Sequence, residues 1–90
     1  MFDTIADALD TWAVAHQLHW QRLYKDSEVR SLDLTLSDGR IAQIWVDGSS
    51  TAGWSVNAWD RKAMKFSRHV ADSTQMGEAL SEALSTVRSW

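Results

Sequence analysis

The chain predicts an α+β domain: a four-stranded antiparallel sheet with one helix before it and one after it, both packed on the same face. Three observations carry this expectation. Apolar residues recur every three or four positions before residue 25 and after residue 75, the spacing of a helical stripe. Between these stretches the period falls to two, as in half-buried strands. Glycine is absent from the first 38 residues, and Gly39, Gly48 and Gly53 then fall in polar connections. Ninety residues make one domain, 1-90, with enough surface to bury a single two-layer core.

The first element is helical by period. Phe2, Ile5, Leu9, Trp12, His16, Trp20 and Leu23 form one apolar stripe. Asp3, Asp7 and Asp10 lie near its start, where the helix dipole favours negative charge, and Arg22 and Lys25 near its end. The unbroken stripe predicts one helix from about Asp3 to about Lys25. The alternative is an end near Gln17, with "LHWQRLY" forming a strand.

"EVRSLDLTL" alternates and places Leu32, Leu34 and Leu36 on one face. The strand after it, "RIAQIWV", can be read in either parity, so the intervening turn decides. A two-residue Asp38-Gly39 turn would put Ile41, Gln43 and Trp45 with the leucines. A three-residue Ser37-Asp38-Gly39 loop, with Gly39 left-handed, puts Ala42, Ile44 and Val46 there instead. The second arrangement keeps the Gln43 amide out of the core and is preferred.

"WSVNAW" then sends Trp54, Val56 and Ala58 inward, and Ser55, Asn57 and Trp59 outward. In "AMKFSRHV", Met64, Phe66 and Val70 read as inward, while Arg68 interrupts the pattern and suggests an edge or a bend. Asp72 and Gln75 have capping-box spacing before a last helix whose stripe is Met76, Leu80, Ala83, Leu84 and Val87.

Composition excludes more than it names. With 12 acidic and nine basic residues the net charge is −3, which argues against nucleic acid, whose phosphates need clustered cations. There is no cysteine, hence no disulfide framework or thiolate chemistry. No apolar run reaches the roughly 20 residues of a membrane helix. The acidic, periodic start is unlike a signal peptide. The chain reads as soluble and cytoplasmic, with no membrane and no nucleic-acid partner.

No catalytic signature stands out. Ser55 in "GWSVN" is not a nucleophile elbow, and no glycine loop could cradle a phosphate. Glu78 and Glu82, one turn apart, have the spacing of an ordinary solvated face. His16 and His19 are three apart, but lack the cysteines or carboxylates of a metal motif. The expectation is no enzyme, no metal and no cofactor. Arg61, Lys62, Lys65 and Arg68 form a basic cluster, which reads as charge protecting an edge strand.

The outward sheet face holds the remaining lead. It carries Ile41, Gln43, Trp45, Asn57 and Trp59 among small polar residues, and one register would set Ile41 directly opposite Trp59. The plain reading is a local cross-strand cluster. The functional reading is a docking surface, because tryptophan is enriched at binding hot spots. The Asp3-Asp7-Asp10 strip reads either as dipole compensation or as a docking strip for a basic partner.

The order helix, strands, helix, with scattered tryptophans, "QIWVDG", "GWSVNAWD" and the aspartate strip, resembles the small α+β immunity proteins of bacterial polymorphic-toxin and contact-dependent inhibition systems. The likeness is architectural and spans the whole chain. It implies a non-catalytic protein that binds a toxin domain and neutralises it by occlusion. On the residues, the partner-binding set is Trp45, Trp59, Ile41, Gln43, Asn57, Asp3, Asp7 and Asp10. The alternative is a self-associating structural module that forms a homodimer through the same open sheet face.

Overall fold

The computed structural model describes residues 2–22, 29–48, 53–60 and 63–90, with side chains from residue 8 onward apart from 21, 22 and 73. Its order is α1 (Phe2–Ala15), β1 (Gln21–Arg22), β2 (Val29–Thr35), β3 (Ile41–Asp47), β4 (Trp54–Asp60), β5 (Ala63–Val70), a single 3-10 turn (Ser73–Gln75) and α2 (Met76–Arg88). The four long strands form the expected antiparallel meander between two helices. The two-residue β1 adds to its edge, so the sheet order is β1-β2-β3-β4-β5.

The first helix is shorter than its apolar stripe. Gln17 takes a left-handed conformation, with φ of 59°. The Leu18 amide donates to the Ala13 carbonyl at 2.8 Å, and the Gln17 amide to Val14 at 3.1 Å. This is a Schellman termination, which satisfies the last carbonyls and turns the chain back. Leu18 then packs against the core, supplying the hydrophobic contact that accompanies such a cap. Trp20 returns to the same cluster by another route. Its ring lies 6.0 Å from Trp12, and its indole N–H donates to the Leu9 carbonyl at 2.9 Å. Helical spacing and a chain that doubles back both bring Trp20 to Trp12, so periodicity alone overextended the helix. The end near Gln17 is the observed one. Leu23 and Lys25 lie outside the described residues.

The β2–β3 loop has three residues. The Leu36 amide donates to the Arg40 carbonyl at 2.7 Å, and Gly39, at φ of 88°, donates to Leu36 at 2.9 Å. Leu32 therefore faces Ile44, and Leu34 faces Ala42. On β4, Ala58 faces Ile44 and Val56 faces Val46. These residues are buried together with Leu9, Trp12 and Ala13 of α1 and Met76, Ala79, Leu80, Ala83, Leu84 and Val87 of α2. Both helices thus cover one sheet face, and the hydrophobic effect on that face is the main stabilising term. The Trp12 indole N–H crosses between the helices to Ser81 Oγ at 3.2 Å.

Two arginines pin the helices toward opposite edges of the covered face. Arg30 shares the covered face with Val46 and reaches Asp10 of α1 at 3.4 Å. Arg68 sits opposite Val56 and reaches Glu78 and Glu82 of α2 at 3.2 and 3.0 Å. The interruption at Arg68 is therefore an edge strand whose long aliphatic stem runs on the covered side while its charge emerges to meet a helix. The glutamates are this cation's partners rather than a merely solvated pair. The entry to α2 is also shifted from the expected box. Asp72 Oδ1 accepts from the Thr74 and Gln75 amides at 3.0 and 3.3 Å, capping the 3-10 turn. Gln75 Oε1 accepts from the Ala71 amide, not from Asp72. The Thr74 hydroxyl, followed by the Thr74 and Gln75 amides, holds the Asp72 carboxyl below the usual carboxylate range.

Two backbone positions test this fold. A Cβ at Gly53, whose φ is 124°, would lie 2.7 Å from the Val70 carbonyl oxygen. Gly53→Ala is expected to lower the unfolding free energy by about 1–3 kcal/mol. Gln17→Gly relieves the left-handed cap and is expected to raise it by about 1 kcal/mol. Urea unfolding of both variants checks the pair.

Candidate docking face

The sheet face away from the helices is built by alternation. Each strand that sends Leu32, Ile44 or Val56 inward must send its neighbours outward. Reading across β2, β3, β4 and β5, one row is Asp33, Gln43, Trp59 and Met64, and the next is Ser31, Trp45, Asn57 and Ser67. A third holds Asp47, Ser55 and His69. Thr35 and Ile41 close one end.

This register corrects two expectations. Ile41 does not face Trp59. Val46 pairs with Val56 rather than Trp54, so Gln43 sits opposite Trp59, and Ile41 pairs with Thr35. Trp54 lies opposite Val70 and beyond the β3 pairing. The second correction concerns Met64. Simple alternation sends it inward with Phe66. A register shift at Ala58/Trp59 pairs Ala58 with Phe66 but Trp59 with Met64, leaving Lys65 as the extra residue of a β-bulge. Met64 is turned to the open face beside Trp59 and is 50% exposed, close to the 55% of Ile41. Met64 belongs to the face and was missed. The only sequence hint was a charged lysine between two apolar residues in a strand that also contains Arg68.

Trp45 and Trp59 are both half-buried, in adjacent rows of neighbouring strands, so they are diagonal rather than opposite. The other four tryptophans serve the covered side. Trp12 is buried, and Trp20, Trp54 and Trp90 pack against the core. Trp54 and Trp59 do divide between the two faces, as their parity requires.

Five polar side chains of the open face, with the Trp45 indole among them, are linked by hydrogen bonds within it. Gln43 Nε2 donates to Asp33 Oδ1 at 3.1 Å, and the Trp45 indole N–H donates to Gln43 Oε1 at 3.1 Å. Asn57 Nδ2 donates to Ser55 Oγ at 3.4 Å. Ser31, outward by alternation with Leu32, is fully buried between Gln21 and Trp45 in the register, and its hydroxyl has no hydrogen-bond partner among the described residues.

At the Ile41 end, Arg40 binds Asp38 through its Nε at 2.6 Å and Asp60 through Nη1 at 3.1 Å. The Arg40 amide, and then its guanidinium, hold the Asp38 carboxyl below the usual range. This clamp joins the β2–β3 loop to the end of β4 and fixes the backbone that presents Ile41 and Trp59.

The other sequence candidates are dispersed. Asp10 is committed to Arg30, an ion pair within the chain. Asp3 and Asp7 lie on α1, but their side chains are outside those described. The basic cluster is divided, because Arg68 belongs to the helix side, Lys65 is exposed, and Arg61 and Lys62 lie outside the described residues. His16 packs against Trp12, with ring centroids 4.8 Å apart and the rings tilted by 42°. Among the described residues no three His, Asp or Glu side chains gather into a metal-binding group, and no helix is long and apolar enough to cross a membrane.

The two tryptophans of β4 should respond differently to truncation. Trp54→Ala is expected to cost about 2–4 kcal/mol of stability, because it removes a ring packed on the core. Trp59→Ala is expected to cost less than about 1 kcal/mol, the scale of a cross-strand pair. Thermal and urea melts of the two variants measure the contrast. No protein-family model, curated protein or solved structure matches this chain.

Proposed function

We propose that this chain is a non-catalytic protein-binding module, and that its open sheet face docks a partner and masks it by occlusion. The observation that carries the reading is the grouping of Trp59, Met64, Ile41 and Trp45 on the face the helices leave uncovered. Large apolar side chains that are half in and half out of a rigid sheet gain contact area on docking at little entropic cost. Their polar neighbours are already hydrogen-bonded to each other, so burying the face strands few groups.

The resemblance to toxin-immunity proteins fits this mode of action. An inhibitor that works by covering an active surface needs a stiff, shaped patch and no chemistry of its own. The partner in this reading is a toxin domain, met in the cytoplasm of a bacterial host. The second reading is a homodimer through the same face, favoured by the exposure of Ile41 and Met64.

Co-expression with the product of the neighbouring gene tests the first reading. Wild-type protein is expected to restore growth to cells poisoned by that product. The double variant Trp45→Ala/Trp59→Ala is expected to lose protection while staying cooperatively folded, its melting temperature lowered by less than about 15 °C, since each change is worth less than about 1 kcal/mol to the fold. Full protection by the double variant places the interface elsewhere. Light scattering that reports a concentration-independent dimer, disrupted by the same changes, supports the homodimer instead.

A further inference from the structure

We infer that the β2–β3 half of the open face receives a cationic side chain of a basic protein partner, an arginine laid on the ring of Trp45 with its charge met by Asp33. The inference rests on the docking reading above and names the chemistry of one contact within it.

Three observations lead there. The first is the Asp33–Gln43–Trp45 chain of hydrogen bonds, at 3.1 Å for each link. It occupies the only hydrogen-bond donor of the indole. Trp45 can then offer a partner its π face but not its N–H, so an acceptor group gains nothing there, whereas an apolar or cationic group does.

The second observation is charge. The outward residues of β2 and β3 are Val29, Ser31, Asp33, Thr35, Ile41, Gln43, Trp45 and Asp47, and the charged ones are both acids. The arginines near these strands whose side chains are described are engaged elsewhere. Arg30 points to the helix side and meets Asp10, and Arg40 is held by Asp38 and Asp60. A cation approaching Asp33 meets an exposed carboxylate whose described partner is the uncharged Gln43 amide. The chain's net charge of −3 favours the same approach at long range.

The third observation is preorganisation. Asp33 is exposed, and the Gln43 amide ties one of its oxygens, Oδ1, to the network that orients the ring. Ring and carboxylate are thereby held as one unit. A planar guanidinium stacks on an aromatic face and donates sideways to a carboxylate at the same time, which a compact ammonium does less well. Gln43 is a positioning residue in this scheme: it sets the aspect of Trp45 and the location of the charge.

The test uses nitrogen-15 labelled full-length protein and follows the six indole N–H resonances during titration with hexa-arginine, hexalysine, hexa-glutamate and an uncharged leucine–threonine peptide. Hexa-arginine is expected to shift the Trp45 indole and to bind more tightly than hexalysine. Hexa-glutamate should leave the face unperturbed, and added salt should weaken the arginine effect. Asp33→Asn, an exposed near-isosteric change, is expected to weaken hexa-arginine binding about five- to tenfold, with unchanged melting temperature. Gln43→Ala keeps the Asp33 charge but releases the ring, and should weaken binding several-fold while moving the free-state Trp45 indole resonance.

Arginine-induced shifts confined to α2 or to Asp10, or unaltered by Asp33→Asn, overturn the inference. If the uncharged peptide shifts Trp59 and Met64 while hexa-arginine leaves Trp45 alone, the docking face stands and its cationic contact falls. If no peptide perturbs the face, both fall.

Discussion

Strands have two faces, and a slip of one residue exchanges them. In this protein that choice is made at the three-residue loop before Arg40, where Gly39 takes a positive φ and Leu36 pairs with Arg40. The loop commits Leu32 and Leu34 to the same side as Ala42 and Ile44. Once β3 is committed, β4 follows through Val46 with Val56 and Ile44 with Ala58. Each helix then has a single apolar floor to cover. A two-residue turn would have buried Gln43 and Trp45 and exposed Ile44, leaving neither a good core nor a good surface.

With the apolar layer assigned, charge completes the attachment of the helices. Surface ion pairs contribute little stability individually. Their placement here is nonetheless informative, because Arg30 lies on β2 and Arg68 on β5, so the two contacts sit toward opposite edges of the covered face and engage different helices. They act as lateral stops for helices that the hydrophobic layer holds down without direction. The same commitments leave the β2–β3 part of the open face acidic.

Much of this architecture could be read in the residues. Alternation in "SLDLTL" and "WSVNAW" fixed which side chains point inward, and the burden of burying Gln43 selected the right turn. The ends of elements were less legible. The apolar stripe of α1 continues into Trp20 because a chain that reverses through Gln17 returns to the same cluster. No spacing rule separates those two routes to one contact. Ion pairing of Asp10 was equally hidden, since Arg30 is remote in sequence and near only after folding. On the candidate face, Trp45 and Trp59 stood out as outward residues, but Met64 did not. Its side depends on a bulge, and bulges leave little trace in composition.

That bulge makes surface chemistry a matter of chain length as well as residue identity. Lys65 is a phase shifter: residues of β5 before it obey one parity and residues after it the other. Phe66 and everything beyond stay locked to the helices through Arg68 and Val70, so a single-residue deletion or insertion near Lys65 would be absorbed on the side of Met64. Lineages that vary here by one residue could trade an apolar group on the open face for a polar one without altering a core position. Length polymorphism at this point would then be a route by which such a surface changes its chemistry while the fold beneath it stays the same.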